Sequence, residues 1–182
     1  IDATAALFAD GKVLCGPLSY ATVTVKDQLY TGKALTPDVT VKLGDKTLKK
    51  GTDYTVSYKN NKAVGTATVT VKGKGSYTGS KKVTFKIVPK AVSGLKLTAG
   101  SKKITVKWKK VSGVTGYQVQ YGLKKSFSGA KTVTVKKAAT VKTTIKKLKA
   151  KKTYYVRIRA YKTVKGTKYC SAWSAAKKVK TK

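Results

Sequence analysis

A candidate ligand-binding face consists of polar side chains at alternate positions of two predicted strands: Tyr155, Arg157, Arg159, Tyr161, Gln118 and Gln120. Alternate residues of a strand point to the same face of a sheet. Tyr and Arg are enriched at binding hot spots, and Arg pairs bidentately with carboxylates or sulfates. The set is therefore a candidate surface for recognising anionic groups. The alternative is a half-exposed sheet face that binds no ligand.

Side chains that catalyse reactions or bind metals are scarce. The chain has no His, and its six acidic residues are all Asp. Enzymes usually need a group that titrates near neutrality, or a metal. Asp53 opens a predicted strand, where Asp commonly caps a turn, and Asp27, Asp38 and Asp45 lack the close acidic neighbours of a calcium site. No nucleophile or phosphate-loop motif occurs. We therefore expect no enzymatic activity, no cofactor and no metal site.

The two cysteines, Cys15 and Cys170, stand near opposite ends of the chain. In an exported protein they could pair and tie the N-terminal segment to the last strand region. A zinc site or a redox motif needs ligands at closer spacing. A disulfide between these residues and two free thiols both remain open.

Positive charge is the extreme feature of the composition. Lys and Arg total 41 against 6 acidic residues, which gives a net charge of +35. No acidic residue follows Asp53, and Arg157 and Arg159 are the only Arg residues. Such a field attracts polyanions, including teichoic acid and acidic glycans. The alternative is a solubilising surface that resists aggregation.

Two other classes of partner are disfavoured. Groove-reading proteins rely on the planar fork of Arg, whereas this chain uses Lys, and its aromatic residues fall mostly at predicted core positions. Specific nucleic-acid recognition therefore ranks low. No apolar run approaches the length needed to span a membrane.

Strand patterns organise residues 21–88. Short alternating runs bounded by Gly, Asn and Pro predict five strands: Ala21–Lys26, Asp38–Leu43, Asp53–Tyr58, Thr66–Lys72 and Lys81–Val88. The same alternation predicts an inward set: Val39, Val41, Leu43, Tyr54, Val56, Tyr58, Val69, Val71, Val83, Phe85 and Ile87.

Motifs spread over this span carry a resemblance. They read Gly-x-Asp-Tyr from Gly51, Tyr-x-Asn-Asn from Tyr58, Val-Gly-x-Ala from Val64 and Gly-x-Gly-x-Tyr-x-Gly from Gly73. Together they resemble a bacterial immunoglobulin-like repeat of Gram-positive surface and secreted proteins. The resemblance implies a structural or adhesive spacer without catalytic residues.

Residues 89–182 begin with a short linker and continue as a second domain. Its predicted strands are Val92–Thr98, Lys103–Lys109, Gly116–Gly122, Thr132–Lys136, Thr140–Ile145, Thr153–Thr163 and Tyr169–Thr181. Trp108 and the Leu148 to Tyr154 spacing resemble the buried Trp and the tyrosine corner of fibronectin type III domains. The Arg-Gly-Asp of integrin-binding members is absent, since the corresponding hairpin contains Lys165-Gly166.

Residues 1–20 match neither repeat. Asp10-Gly11 between apolar residues indicates a hairpin, either added to the next domain or left from a preceding one. The sharper alternative is a strand donated to a neighbouring copy, which would make the chain a subunit of a head-to-tail surface fibre.

The predicted fold is all-β, with two tandem immunoglobulin-like β-sandwiches. The predicted function is a non-catalytic spacer and adhesion module, secreted or associated with the cell wall, that binds anionic wall or glycan polymers electrostatically. The alternative is an adhesin that recognises a specific host surface protein or glycan through the second domain.

Overall fold

The computed structural model describes residues 16–182 in full and the backbone of residues 7–9 and 12–14. The chain forms two compact units, Ile1–Ile87 and Val88–Lys182. Strands and the loops between them make up nearly all of the described chain, as the all-β prediction requires. Within the described residues, no helix has the length and apolar character needed to cross a membrane.

The first unit contains a short hairpin, a single 3-10 turn and two sheets. In the hairpin, β1 (Leu7–Ala9) pairs antiparallel with β2 (Lys12–Leu14), and the turn η1 (Leu18–Tyr20) follows. Seven further strands follow along the chain: β3 (Thr22–Val25), β4 (Gln28–Leu29), β5 (Val39–Leu43), β6 (Lys46–Thr47), β7 (Tyr54–Lys59), β8 (Gly65–Gly73) and β9 (Ser80–Val88). One sheet has the order β3-β5-β6 and the other β4-β9-β8-β7.

The core of the first unit lies between these two sheets. All eleven predicted inward residues belong to it, either buried or packed against it, so that prediction is confirmed. The antiparallel register places Tyr58 opposite Val69 and Val69 opposite Val83, which aligns apolar side chains across three strands. Leu18, which lies before the predicted start of the domain, is also fully buried in this core.

The second unit also has two sheets. Its strands are β10 (Lys96–Gly100), β11 (Lys103–Lys107), β12 (Gly116–Gly122), β13 (Lys131–Val135), β14 (Lys142–Ile145), β15 (Thr153–Val164), β16 (Thr167–Cys170) and β17 (Lys177–Lys180). One sheet has the order β10-β11-β14. The other has the order β13-β12-β15-β16, and β17 also pairs with β15.

Three aromatic side chains, Trp108, Tyr117 and Tyr154, pack in the core of the second unit. Trp108 is 5% exposed, and its ring meets that of Tyr117 edge to face, with centroids 5.2 Å apart. The backbone N–H of Lys149 donates to the Tyr154 hydroxyl over 3.0 Å, which is the bond expected of a tyrosine corner.

Two predicted strands differ most from the strands of the structure. The strand predicted over Val92–Thr98 begins only at Lys96, because Gly94 adopts a left-handed conformation with φ of 67°. The strand predicted over Tyr169–Thr181 is divided into β16 and β17, with residues 171–176 between them outside any strand.

Two serines of the segment between β16 and β17 replace part of the strand pairing that is missing there. Ser171 and Ser174 each donate their backbone N–H to β15, to the carbonyls of Ala160 and Ile158. Their hydroxyls accept the N–H groups of the same two residues, over 2.9 and 3.1 Å. The edge of β15 is therefore satisfied although the ladder is broken.

Candidate ligand-binding face of the second unit

Two Arg–Gln pairs form the centre of the candidate face. The register of β12 and β15 sets Gln118 opposite Arg159 and Gln120 opposite Arg157. Each Arg donates its Nε–H to the Oε1 atom of the facing Gln, over 2.7 Å for Arg157 and 2.8 Å for Arg159. These four residues lie on one face of the sheet, and the binding of a ligand there stays a prediction. The bonds hold both guanidinium groups against the sheet.

Two aromatic rings stack on these guanidinium groups. The Trp173 ring lies 4.7 Å from the Arg157 guanidinium carbon and 4.4 Å from that of Arg159. The Phe127 ring lies 4.1 Å from Arg157. All three distances are within the range of a cation–π interaction. We call the six residues Gln118, Gln120, Phe127, Arg157, Arg159 and Trp173 the arginine ladder.

The break between β16 and β17 places Trp173 on the ladder. Ser171 and Ser174 hold the segment to β15 on either side of the Trp. Residues 172 and 173 therefore take no part in strand pairing, and the Trp173 indole lies over the two guanidinium groups. The composition Ser-Ala-Trp-Ser-Ala-Ala, small residues around one large ring, was the available signal. This signal was overridden by the period-two alternation, which predicted one continuous strand over Tyr169–Thr181.

A left-handed residue places Phe127 on the ladder. Phe127 has φ of 59°, an uncommon conformation for a bulky residue. Its N–H donates to the Lys124 carbonyl, and its own carbonyl accepts the Ala130 N–H, each over 3.1 Å. Nothing in the local sequence predicted this conformation.

The two predicted tyrosines lie in different environments. Tyr155 is half-buried on the same face of β15 as the two Arg residues. Tyr161 is only 3% exposed, so its expected place on an open surface is wrong. The physical reason is its partner Gly116, whose missing side chain leaves room for the phenol. The Lys168 ammonium then covers the ring at 5.3 Å.

The cysteine prediction falls partly outside the described residues. Cys170 ends β16 and is half-buried, whereas Cys15 is not among the described residues, so the disulfide stays a prediction. No cluster of potential metal ligands occurs within the described part of the chain.

Two hydroxyls with shifted pKa values belong to the first unit, whereas the arginine ladder belongs to the second. Tyr54 donates to the Val39 carbonyl over 3.1 Å, and Tyr58 donates to the Pro37 carbonyl over 2.6 Å. Burial, and then the nearby negative charge of Asp38, raises the pKa of both hydroxyls above the usual 10.0. Tyr58 therefore anchors the end of the connector between β4 and β5, and Tyr54 anchors the first residue of β5.

Comparison with known proteins defines the second unit. Residues 90–174 match the fibronectin type III domain family, so this part of the chain is a fibronectin type III domain. Domains of this kind are typically extracellular or surface modules without catalytic activity. No curated protein matches the chain.

Solved structures extend the likeness to both units. A two-domain fibronectin type III segment of chicken tenascin superimposes with a TM-score of 0.58 at 17% identity, over 88% of this chain and 98% of that one. The fibronectin type III domain of human contactin 1 has a TM-score of 0.46 and 21% identity, over 51% and 77% of the two chains. The tenascin likeness concerns the fold alone. It confirms the prediction of two tandem immunoglobulin-like β-sandwiches.

Proposed function

We propose that this chain is a spacer and adhesion module of a secreted or wall-associated Gram-positive protein. The second unit is a β-sandwich of a family often found in adhesion or spacer roles. The first unit is then a bacterial immunoglobulin-like repeat, supported by its motifs and its two-sheet core. The module binds anionic wall or glycan polymers, such as teichoic acid, through electrostatic attraction and catalyses no reaction.

One observation carries this proposal: the second unit has no acidic side chain. Of the 41 basic residues, 27 (25 Lys plus 2 Arg) lie in Val88–Lys182, and none of the 6 Asp does. No side-chain carboxylate within this unit can neutralise its ammonium groups. Potentials of this kind raise the local concentration of polyanions and accelerate their association.

The identity of the cations favours polymers over a single shaped ligand. Lys presents a hydrated point charge on a flexible stem, whereas Arg presents a rigid fork that selects planar anions. The only two Arg residues have their Nε–H groups bound to Gln120 and Gln118. The attraction is therefore diffuse and screened by salt, with a Debye length of about 8 Å at physiological ionic strength.

Retention on purified Gram-positive cell walls tests this function. The full chain would be applied to walls with and without teichoic acid, across a series of salt concentrations. We expect retention on intact walls that falls steeply with salt and is weak on stripped walls. Equal retention on both wall preparations would refute wall-polymer adhesion and leave the charge as a solubility feature.

A second candidate function is specific recognition of a host surface protein or glycan at the ladder face. The favouring observation is the grouping of Trp173 with two Arg residues beside Tyr155, since Trp, Tyr and Arg dominate binding hot spots. Replacing both Arg by Lys keeps the charge and removes the planar stack. A specific adhesin would lose its ligand in this variant, whereas electrostatic adhesion would be unchanged.

A further inference from the structure

A cleft at one end of the second unit concentrates lysines from two segments. It has a volume of about 490 Å³ and lies between the β12–β13 hairpin and the segment that joins β14 to β15. Lys124 and Lys131 line the hairpin side, and Lys147 and Lys149 line the other. We propose that this cleft binds a short segment of an acidic saccharide through its sulfate or carboxylate groups. The inference rests on the proposed function and gives it a defined subsite.

The segment carrying Lys147 and Lys149 is held rigidly. The Lys149 N–H donates to the buried Tyr154 hydroxyl, and the Lys149 carbonyl accepts the hydroxyl of buried Thr181 over 2.6 Å. The Leu148 N–H donates to the Lys102 carbonyl over 2.9 Å, and the Leu148 side chain is buried. Because the backbone is fixed, little backbone entropy is lost there on binding, which favours affinity.

The opposite wall is anchored by the arginine ladder. Phe127 lies within the hairpin loop, and its ring stacks on Arg157 at 4.1 Å. The Phe127 N–H donates to the Lys124 carbonyl. The residue that stacks on Arg157 therefore also positions the backbone of a lysine of the cleft. Lys131 pairs with Tyr121 at the start of β13, which fixes the backbone of the second lysine of this wall.

The remaining lining selects the chemistry of the ligand. Leu123 is 48% exposed and Tyr121 is half-buried, and both line the cleft together with the four lysines. Ser128 adds a hydroxyl. A sugar ring offers apolar C–H faces, hydroxyls and, when acidic, an anionic group, which together match this lining. The volume falls within the usual 300–1,000 Å³ of small-ligand sites.

The strands that end at the cleft provide a matched control. Register pairs Ile104 with Ile145 near the cleft and Lys107 with Lys142 at the far ends of the same strands. The exposed Lys110 and Lys136 follow β11 and β13 toward that same far end. Replacing Lys107, Lys110, Lys136 and Lys142 by Gln therefore removes as many charges as replacing the four cleft lysines, without altering the cleft.

The test is calorimetric titration of the full chain with a sulfated tetrasaccharide, its desulfated counterpart and a glycerol-phosphate oligomer of equal charge. We expect the K124Q/K131Q/K147Q/K149Q variant to bind the sulfated tetrasaccharide about 30-fold more weakly, and the far-end variant about threefold or less. If the quadruple cleft variant does not fold, K124Q/K131Q serves instead, with an expected loss of roughly fivefold. The desulfated sugar should bind weakly to all variants.

Equal losses in the cleft and far-end variants would overturn the cleft proposal and leave diffuse electrostatic adhesion standing. A cleft effect seen with the glycerol-phosphate oligomer but not with the saccharide would overturn the assignment of the ligand class. If the parent chain bound neither anionic probe, the proposed function would fail together with the subsite.

Discussion

Trp173 is expected to stabilise the second unit through the ladder as well as through burial. Removing the ring but keeping apolar bulk, as in Trp173→Leu, loses two cation–π contacts at a half-exposed site. At about 0.5–1 kcal/mol each, this costs about 1–2 kcal/mol. Trp173→Phe keeps a weaker ring and should lose less. Trp173→Ala also loses roughly 100 Å² of buried apolar surface, about 2.5 kcal/mol, so its total should reach about 3.5–4.5 kcal/mol.

Urea unfolding followed by tryptophan fluorescence measures these differences. Both Trp residues lie in the second unit, so the signal reports on that unit within the full chain. In every Trp173 variant, Trp108 remains as a probe buried in the core. Urea is preferred because guanidinium would compete with the Arg side chains for the ring and screen their charge.

The order of stability among the Trp173 variants distinguishes a cation–π contribution from burial alone. The expected free energy of unfolding falls from parent to Phe, then Leu, then Ala. Equal stabilities for Phe and Leu would refute a cation–π contribution and leave burial as the whole effect. Arg159→Lys should cost about 1 kcal/mol, because it loses the Gln118 bond while keeping the charge.

Three further predictions concern other parts of the structure. Ser171→Ala leaves the Ala160 N–H without its acceptor and should destabilise the second unit by about 1–3 kcal/mol in the same urea assay, whereas an unchanged midpoint would refute the role given to the hydroxyl. Gly116→Ala drives a methyl group into the Val135 carbonyl and should cost about 1–3 kcal/mol or more, against about 1 kcal/mol for Gly166→Ala, which meets only open space. Tyr58→Phe should destabilise the first unit by about 1 kcal/mol at pH 8, measured by urea unfolding with circular dichroism. Since the folded pKa of Tyr58 is raised, the stability it contributes is present below pH 10 and lost above it, so this difference should narrow at pH 11; a constant difference would contradict it.

The alternation of side chains was sufficient to predict most of the fold. Tyr58, Val69 and Val83 lie in sequence positions that alternation assigns to one face, and the register places them side by side. The resemblance to fibronectin type III domains predicted a buried Trp108 and a tyrosine corner at Tyr154, and the two residues occupy the core and that corner. Where burial on one face dominates the energetics, the pattern is a reliable guide.

The candidate face was predicted only in part, for identifiable physical reasons. Arg157 and Arg159 face outward as alternation requires, but Tyr161 is covered because its neighbour across the sheet is Gly116. That pairing joins residues that are distant in sequence, so the periodicity of a single strand cannot predict it. Trp173 was missed because serine side chains replace backbone partners and break the strand. Phe127 was missed because nothing in the local sequence predicts its left-handed conformation.

The most direct test of the central claim is the salt dependence of binding to a defined pair of polymers. The full chain would be titrated onto an immobilised acidic glycan and onto its neutral counterpart with the same sugar backbone. Electrostatic adhesion by the +35 chain predicts tight binding to the acidic polymer, and affinity that falls steeply and linearly on logarithmic axes as salt rises. Equal binding to both polymers, or affinity that does not change with salt, would contradict the account.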